Sequence, residues 1–366
     1  MDDGIAGPVI MPLPKTYEFD NGEITDYITE VLRQFGFQDS YGLLAAVQSG
    51  GGEIKPTIIF GIPGLNLVGP DLPPPPNNLG LLVQNNCMLA VHSYETTWSL
   101  DPVKNLQQLD LQPCSVGLEG SLEGAGSFGG FLKRRFQSLL RYTSLSTTTD
   151  HLRIIAPKDY EAQAIVQEFR FHKSIAGPTF VDPTNPAQVN TGIFSGARLG
   201  SITYTHFGVH SDLLHWYDQQ LRQRELPRFS AHISWLTRID CCIFNCNPER
   251  YGGNIYDDRA VSDVGDLYPS ALVEKVGRTT RRTMGTVNPA VLVIWDRGSP
   301  TFEVAIIGID RNIFAGPGDS GGCVFENESG TYKAAGLLMG KNLEGNIAYA
   351  TPLRLLLQTA GDYEWA

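Results

Sequence analysis

Gly316-Pro317-Gly318-Asp319-Ser320-Gly321-Gly322 is the stretch on which the reading of this 366-residue chain turns. A serine used as a nucleophile has to project from a tight turn whose backbone N–H groups point into the same space, and glycines let the backbone make that turn. The plain alternative is a Gly-rich connection with no chemistry. The flanks favour the first reading. An apolar strand (Val304 to Ile309) precedes the turn. Behind it come a strand (Cys323 to Phe325), a turn (Glu326 to Gly330), a strand (Lys333 to Met339), a second turn (Lys341 to Gly345) and a strand (Asn346 to Ala350). A closing helix is expected after that, with Thr351 as N-cap, Pro352 at the first helical position and Gly361 at the end.

With those flanks, Gly318-Asp319-Ser320-Gly321-Gly322 resembles the nucleophile loop of chymotrypsin-like serine peptidases of the PA clan, and the strand order resembles their second β-barrel. The resemblance implies Ser320 as nucleophile, with the amides of Gly318 and Ser320 as the oxyanion hole. It also implies that the strand at Ala335–Gly340 pairs with substrate backbone and walls the specificity pocket, so Phe314, Met339 and Gly340 are the expected pocket residues. No acid stands at Phe314, so a preference for Lys or Arg is not supported. Asp319 would be structural. In secreted relatives it pairs with a freed N-terminus, and with no activation sequence in view it should find a different partner here. The stretch Lys275-Val276-Gly277-Arg278-Thr279-Thr280, followed by Gly285-Thr286-Val287, looks like the opening of the second barrel in fungal trypsin-like peptidases. An ordinary hairpin with a basic turn reads equally well.

The acid that orients the base is expected at the edge of an upstream apolar strand. Asp240, in Arg238-Ile239-Asp240-Cys241-Cys242-Ile243-Phe244, fits that pattern. The base is harder to find. In the resembled family it follows a strand with a small-residue, Thr-rich signature, between the first hairpin (Ser127 to Leu132) and the acid. Seven histidines are available. His151, in Thr148-Thr149-Asp150-His151-Leu152, keeps the Thr, the His and the apolar residue, although residues 133–150 look unlike the family. His206 is second, at the end of Ile202-Thr203-Tyr204-Thr205. His92 precedes the Gly-rich hairpin, His172 follows a charged stretch, and His210, His215 and His232 read as surface or packing residues. A third reading has no competent histidine and makes the chain a non-catalytic, scaffolding relative. A fourth limits the chemistry to self-cleavage, with the N-terminal part as a prodomain.

Outward from the motif, the expected fold is mainly β: a chymotrypsin-like double β-barrel over 113–366, behind a loose N-terminus (1–16) and a small α/β module (17–110) with a Pro-rich linker at 70–78. Strand candidates in the barrels are 128–133, 152–155, 162–169, 199–206, 233–237, 239–244, 291–295, 303–309, 322–325, 332–339 and 346–350. Helices are expected at 23–34, ending near Gly36, and at 211–224, capped by Ser211. Residues 79–110 give one apolar strand, Leu-Leu-Val-Gln-Asn-Asn-Cys-Met-Leu-Ala-Val.

Composition agrees with a turn-rich globular chain: 39 Gly, 23 Pro and 42% apolar residues. Lys+Arg 28 against Asp+Glu 39 gives a net charge of −11, which argues against a nucleic-acid partner. No apolar run approaches the roughly 20 residues of a membrane helix. The N-terminus lacks a secretory pattern, so an intracellular, cytoplasmic location is expected. The six cysteines are irregularly spaced and read as reduced thiols. No P-loop or metal motif is present, so no cofactor or metal is expected, and the expected partner is a protein or peptide substrate.

Overall fold

The computed structural model describes residues 8–48, 52–64, 72–90, 115–118, 125–127, 129–134, 163–166, 179–181, 198–246, 253–277, 279–296, 298–309 and 313–366. The N-terminal part contributes strands β1 (Val9–Met11), β2 (Ser40–Gln48), β3 (Ile54–Gly61), β4 (Gly80–Gln84) and β5 (Met88–Ala90). Helix α1 (Asn21–Phe35) opens on Asp20, whose side chain accepts from the amides of Gly22 and Glu23, and closes on Gly36 at φ +62. Both caps satisfy backbone groups that a helix end leaves open. Ile24, Ile28, Val31 and Leu32 bury one face of α1, which packs on β2.

The middle of the chain supplies β6 (Ser115–Leu118), β7 (Ala125–Ser127), β8 (Gly130–Arg134), β9 (Gln163–Val166), β10 (Thr179–Val181), β11 (Arg198–His210) and β12 (Thr237–Cys246). A short hairpin, β13 (Ile255–Tyr256) and β14 (Arg259–Ala260), leads into β15 (Leu272–Gly277), β16 (Arg281–Val287), β17 (Leu292–Asp296), β18 (Ser299–Gly308), β19 (Cys323–Glu328), β20 (Thr331–Asn342), β21 (Ile347–Pro352) and β22 (Tyr363–Trp365). Among the described residues, two further helices are α2 (Leu213–Gln223) and α3 (Leu353–Ala360).

The C-terminal strands close on themselves in the order β15–β16–β18–β21–β20–β19 and back to β15, every pair antiparallel. Counted within this barrel the order is one, two, three, six, five, four. The middle strands repeat it. With β7 and β8 taken as one strand, the pairs run β6–β7, β8–β9, β9–β12, β12–β11, β11–β10 and β10–β6. The molecule is mainly β, with the same Greek-key order twice.

The N-terminal strands are joined to the second barrel by hydrogen bonds. β17 turns out of its hairpin with β18 and pairs with β2, so that β17, β2, β3 and β4 extend the barrel sheet. Asn288, wholly buried, reinforces the join: its side chain donates to the carbonyls of Leu44 and Ala290 and accepts from the Leu13 amide. Between the two barrels, the Glu303 carboxyl accepts from the Arg238 amide and the Thr237 hydroxyl.

Several expectations need correction. The apolar run after residue 79 is two strands. The Asn86 side chain accepts from the Cys87 and Leu343 amides and turns the chain, so that β4 lies parallel to β3 while β5 lies on β20. Asp212, at φ +65, takes the cap position of α2 in place of Ser211 and makes no side-chain cap bond. Helix α3 begins at Leu353 with Pro352 at its cap. Thr351 still belongs to the ladder of β21, and its hydroxyl donates to the Arg238 carbonyl at 3.4 Å. Residues 233–236 form no strand and lead into β12, with the Trp235 ring stacked on Phe302. The candidate strand at 152–155 lies outside the described residues.

Candidate active site

Residues 316–322 connect the third and fourth strands of the second barrel, β18 and β19. The turn is tight: the Asp319 amide donates to the Gly316 carbonyl at 3.1 Å and the Gly322 amide to the Asp319 carbonyl at 3.0 Å. Gly318 at φ +90 and Gly321 at φ +83 occupy left-handed backbone that a side chain would strain. Two further bonds dock the turn on β20, from the Gly321 amide to Leu338 O and from the Leu338 amide to Gly322 O. Ser320, 3% exposed, sits at the end of these bonds with its Oγ 3.4 Å from Met339 O.

Asp319 holds the turn from within. Its Oδ2 is 2.8 Å from Lys275 Nζ, and both side chains are wholly buried. Oδ1 accepts from the amides of Thr279 and Thr280, and Oδ2 from the Gly316 amide and the Thr280 hydroxyl. Burial pushes this carboxyl up. The Lys275 charge and the surrounding donors outweigh that, so it lies below the usual carboxylate value. Desolvation also lowers Lys275, against the pull of Asp319. The Lys275-to-Thr280 stretch is therefore a socket. Lys275 supplies the charge and Thr279 and Thr280 the donors. Gly277 supplies the space, because a Cβ there would sit 2.4 Å from Asp319 Cγ. The alternative partner expected for Asp319 is Lys275. The motif that contains it was visible in the sequence; its role was not.

Of the residues expected to line a pocket, Met339 meets Ser320 through its carbonyl. The Phe314 amide donates to Gly345 O, and its carbonyl accepts from the Thr283 hydroxyl. The Phe314 ring is wholly buried beside Gly285, with Lys275 Nζ 5.8 Å from its centroid. Met339 and Gly340 follow each other on β20. Gly340 faces the Tyr349 ring and the Leu89 carbonyl, which leave no room for a Cβ.

Asp240 is buried in β12, the sixth strand of the first barrel, opposite Phe207. It lies two residues from Arg238, through which β12 meets both β18 and β21. Opposed residues share a face of a ladder and successive ones alternate, so His206, opposite Cys241, and Asp240 are on opposite faces. The His206 ring nitrogen bonds to that of His210 at 2.6 Å, His215 bonds to Ala231 O and Gln219, and His232 packs on Trp235. His92, His151 and His172 lie outside the described residues. Among the described residues no three His, Cys, Asp or Glu side chains converge as a metal site would require.

The closed second barrel, the matching strand order of the middle strands when β7 and β8 are counted as one, and the serine turn between the third and fourth strands of the second barrel define the architecture. The fold is chymotrypsin-like. No protein-family model and no curated protein matches the chain. Among solved structures, the chain is similar to a glutamic acid specific serine protease described as using a histidine triad in substrate binding. The identity is 13% and the TM-score 0.41, covering 70% of this chain and 100% of that one. It is also similar to Thermobifida fusca protease A, at 12% identity and TM-score 0.39 over 70% and 100% of the two chains. Cellulomonas bogoriensis chymotrypsin follows at 13% and 0.37, over 70% and 99%. Likenesses this distant say nothing of chemistry. No helix among the described residues is long and apolar enough to cross a membrane.

Proposed function

We propose that the protein is a serine-type endopeptidase that hydrolyses peptide bonds through an acyl-enzyme on Ser320. The observation that carries this reading is the serine turn itself, fixed by left-handed Gly318 and Gly321 and by the buried Lys275–Asp319 pair. A turn held this rigidly keeps its amides oriented before any substrate arrives, which is what stabilising a tetrahedral oxyanion requires. In this reading the amides of Gly318 and Ser320 hold the oxyanion, a histidine takes the serine proton and Asp240 orients that histidine. His151 is the proposed base, on its Thr-His-Leu context. His172 is its rival because it follows a strand closely, six residues beyond Val166 of β9, whereas His151 is seventeen beyond Arg134 of β8. The substrate is a protein or peptide, and Phe314 brings no acid that would select Lys or Arg at the cleaved position. The thiols of Cys87 and Cys323 fit a reducing, intracellular compartment.

A second reading, a peptide-binding relative without turnover, is favoured by the His206–His210 bond, by the His215 bond to Ala231 O, and by His206 lying on the opposite face of the ladder from Asp240. Hydrolysis of a mixed peptide library, with Ser320→Ala and with Gln at His92, His151 and His172 in turn, separates the two. Cleavage abolished in Ser320→Ala and in one histidine variant supports the peptidase. Binding without cleavage by the unmodified protein supports the second reading.

A further inference from the structure

One side of β20 is covered by β21. The other carries in succession β19, up to the Cys323–Leu337 pair, then the Gly321–Leu338 bonds, then Ser320 against Met339. The next stretch, Gly340 to Asn342, is the edge that an extended peptide reaching Ser320 would use. It is already paired. Ala90 opposes Gly340, Leu89 opposes Lys341 and Met88 opposes Asn342, antiparallel, so that β5 runs toward the serine end of the strand.

The occupant is held in place. The Asn86 side chain is buried, accepts from the Leu343 amide at 2.9 Å and donates to Glu344 at 3.1 Å. The Met88 amide donates to Asp39 O at 2.7 Å. Gly340 lets the strands approach, since a Cβ there would be 2.8 Å from Leu89 O. The ladder is only three residues long, however, and Leu89 is 37% exposed. Short edge pairings of this kind open locally without global unfolding.

We infer that residues 86–90 are a built-in occupant of the peptide-binding edge, which any other peptide must displace to reach Ser320. Main-chain bonds to a strand edge serve any extended peptide, so the two compete for the same donors and acceptors. This inference rests on the reading of β20 as a peptide-binding edge. Asn86 is the latch, because it fixes the turn before β5 and touches none of the proposed catalytic groups.

Hydrogen exchange on the full chain tests the pairing directly. Amides within 88–90 and 340–342 should be protected in the unmodified protein and lose protection together in Asn86→Ala, while β19 stays protected. A fluorescein-labelled peptide copying residues 84–92, with serine for cysteine, should bind Asn86→Ala about tenfold more tightly than the unmodified protein. Unprotected 88–90 in the unmodified protein overturns the inference. So does an opened segment in Asn86→Ala with unchanged peptide affinity. Labelling of Ser320 by a fluorophosphonate is read in parallel. Its absence from both proteins defeats the peptidase reading alone, and the exchange and peptide results still decide the occupancy.

Discussion

Lys275 Nζ and Asp319 Oδ2 are 2.8 Å apart inside the second barrel, with no solvent reaching either side chain. The pair joins the first strand of that barrel to the residue before the serine, so the orientation of the turn depends on a charge the chain carries internally. Lys275→Met leaves the carboxylate buried without its counter-charge, held only by its hydrogen-bond donors. Breaking one partner of such a pair costs about 3–5 kcal/mol. The expected outcome is a loss of that size in urea unfolding. Lys275→Met combined with Asp319→Asn should recover part of it, because the stranded charge is gone.

The pair also sets an acid limit. Asp319 titrates below its unfolded value, so its contribution is complete above about pH 4 and is lost as pH falls through the lower, folded value. Stability measured from pH 5 downward should fall more steeply in the unmodified protein than in the double variant. Equal slopes would show that Asp319 does not drive the acid limb.

Glu303 works in the opposite direction. Burial between the barrels pushes its carboxyl up to about 7, with Arg238 and the surrounding donors opposing. A raised folded value favours the protonated form, so this stabilisation is complete below about pH 4.3 and is lost as pH rises through about 7. Glu303→Gln should remove a pH-dependent loss of about 4 kcal/mol between those limits. An unchanged slope in that window would place the titration elsewhere.

Gly277→Ala tests the socket by volume rather than charge. The added Cβ would lie 2.4 Å from Asp319 Cγ. Overpacking of this kind costs about 1–3 kcal/mol. Unfolding should shift by that amount, and Ser320 reactivity should fall with it. Unaltered reactivity would show that the turn tolerates a displaced Asp319.

Much of the second barrel was readable in advance, because its strands are short apolar runs punctuated by glycine turns and end on the serine motif. The charge on Lys275 was equally plain, but which carboxylate it meets is set by barrel closure, a contact between residues 44 apart. β2 went unread for a related reason. Ser40–Gln48 is buried on both faces along almost its whole length, with β3 along one edge and β17 and β1 along the other, so it shows no alternation to detect. The break between β4 and β5 depends on one asparagine side chain bonding a distant loop, which no local pattern records. The base stayed open because a histidine is identified by its neighbours in space, and the three that the described residues leave out are the ones on which the choice turns.

Asn288 tests whether the N-terminal strands and the second barrel fold as one unit. Its side chain makes three buried bonds, to Leu13, Leu44 and Ala290. Asn288→Ala leaves those backbone groups unsatisfied, at about 1–3 kcal/mol each in the worst case. A single, earlier unfolding transition is expected. Two separated transitions would show that the N-terminal part folds independently.

The most direct measurement is reaction of the full-length protein with a fluorophosphonate, followed by peptide mass mapping. A single adduct on Ser320, absent after Ser320→Ala and weakened by Lys275→Met, is the result expected of a serine nucleophile on a turn held by the Lys275–Asp319 pair. A folded protein that takes up no label at Ser320, under conditions where a known serine peptidase is fully labelled, would contradict it.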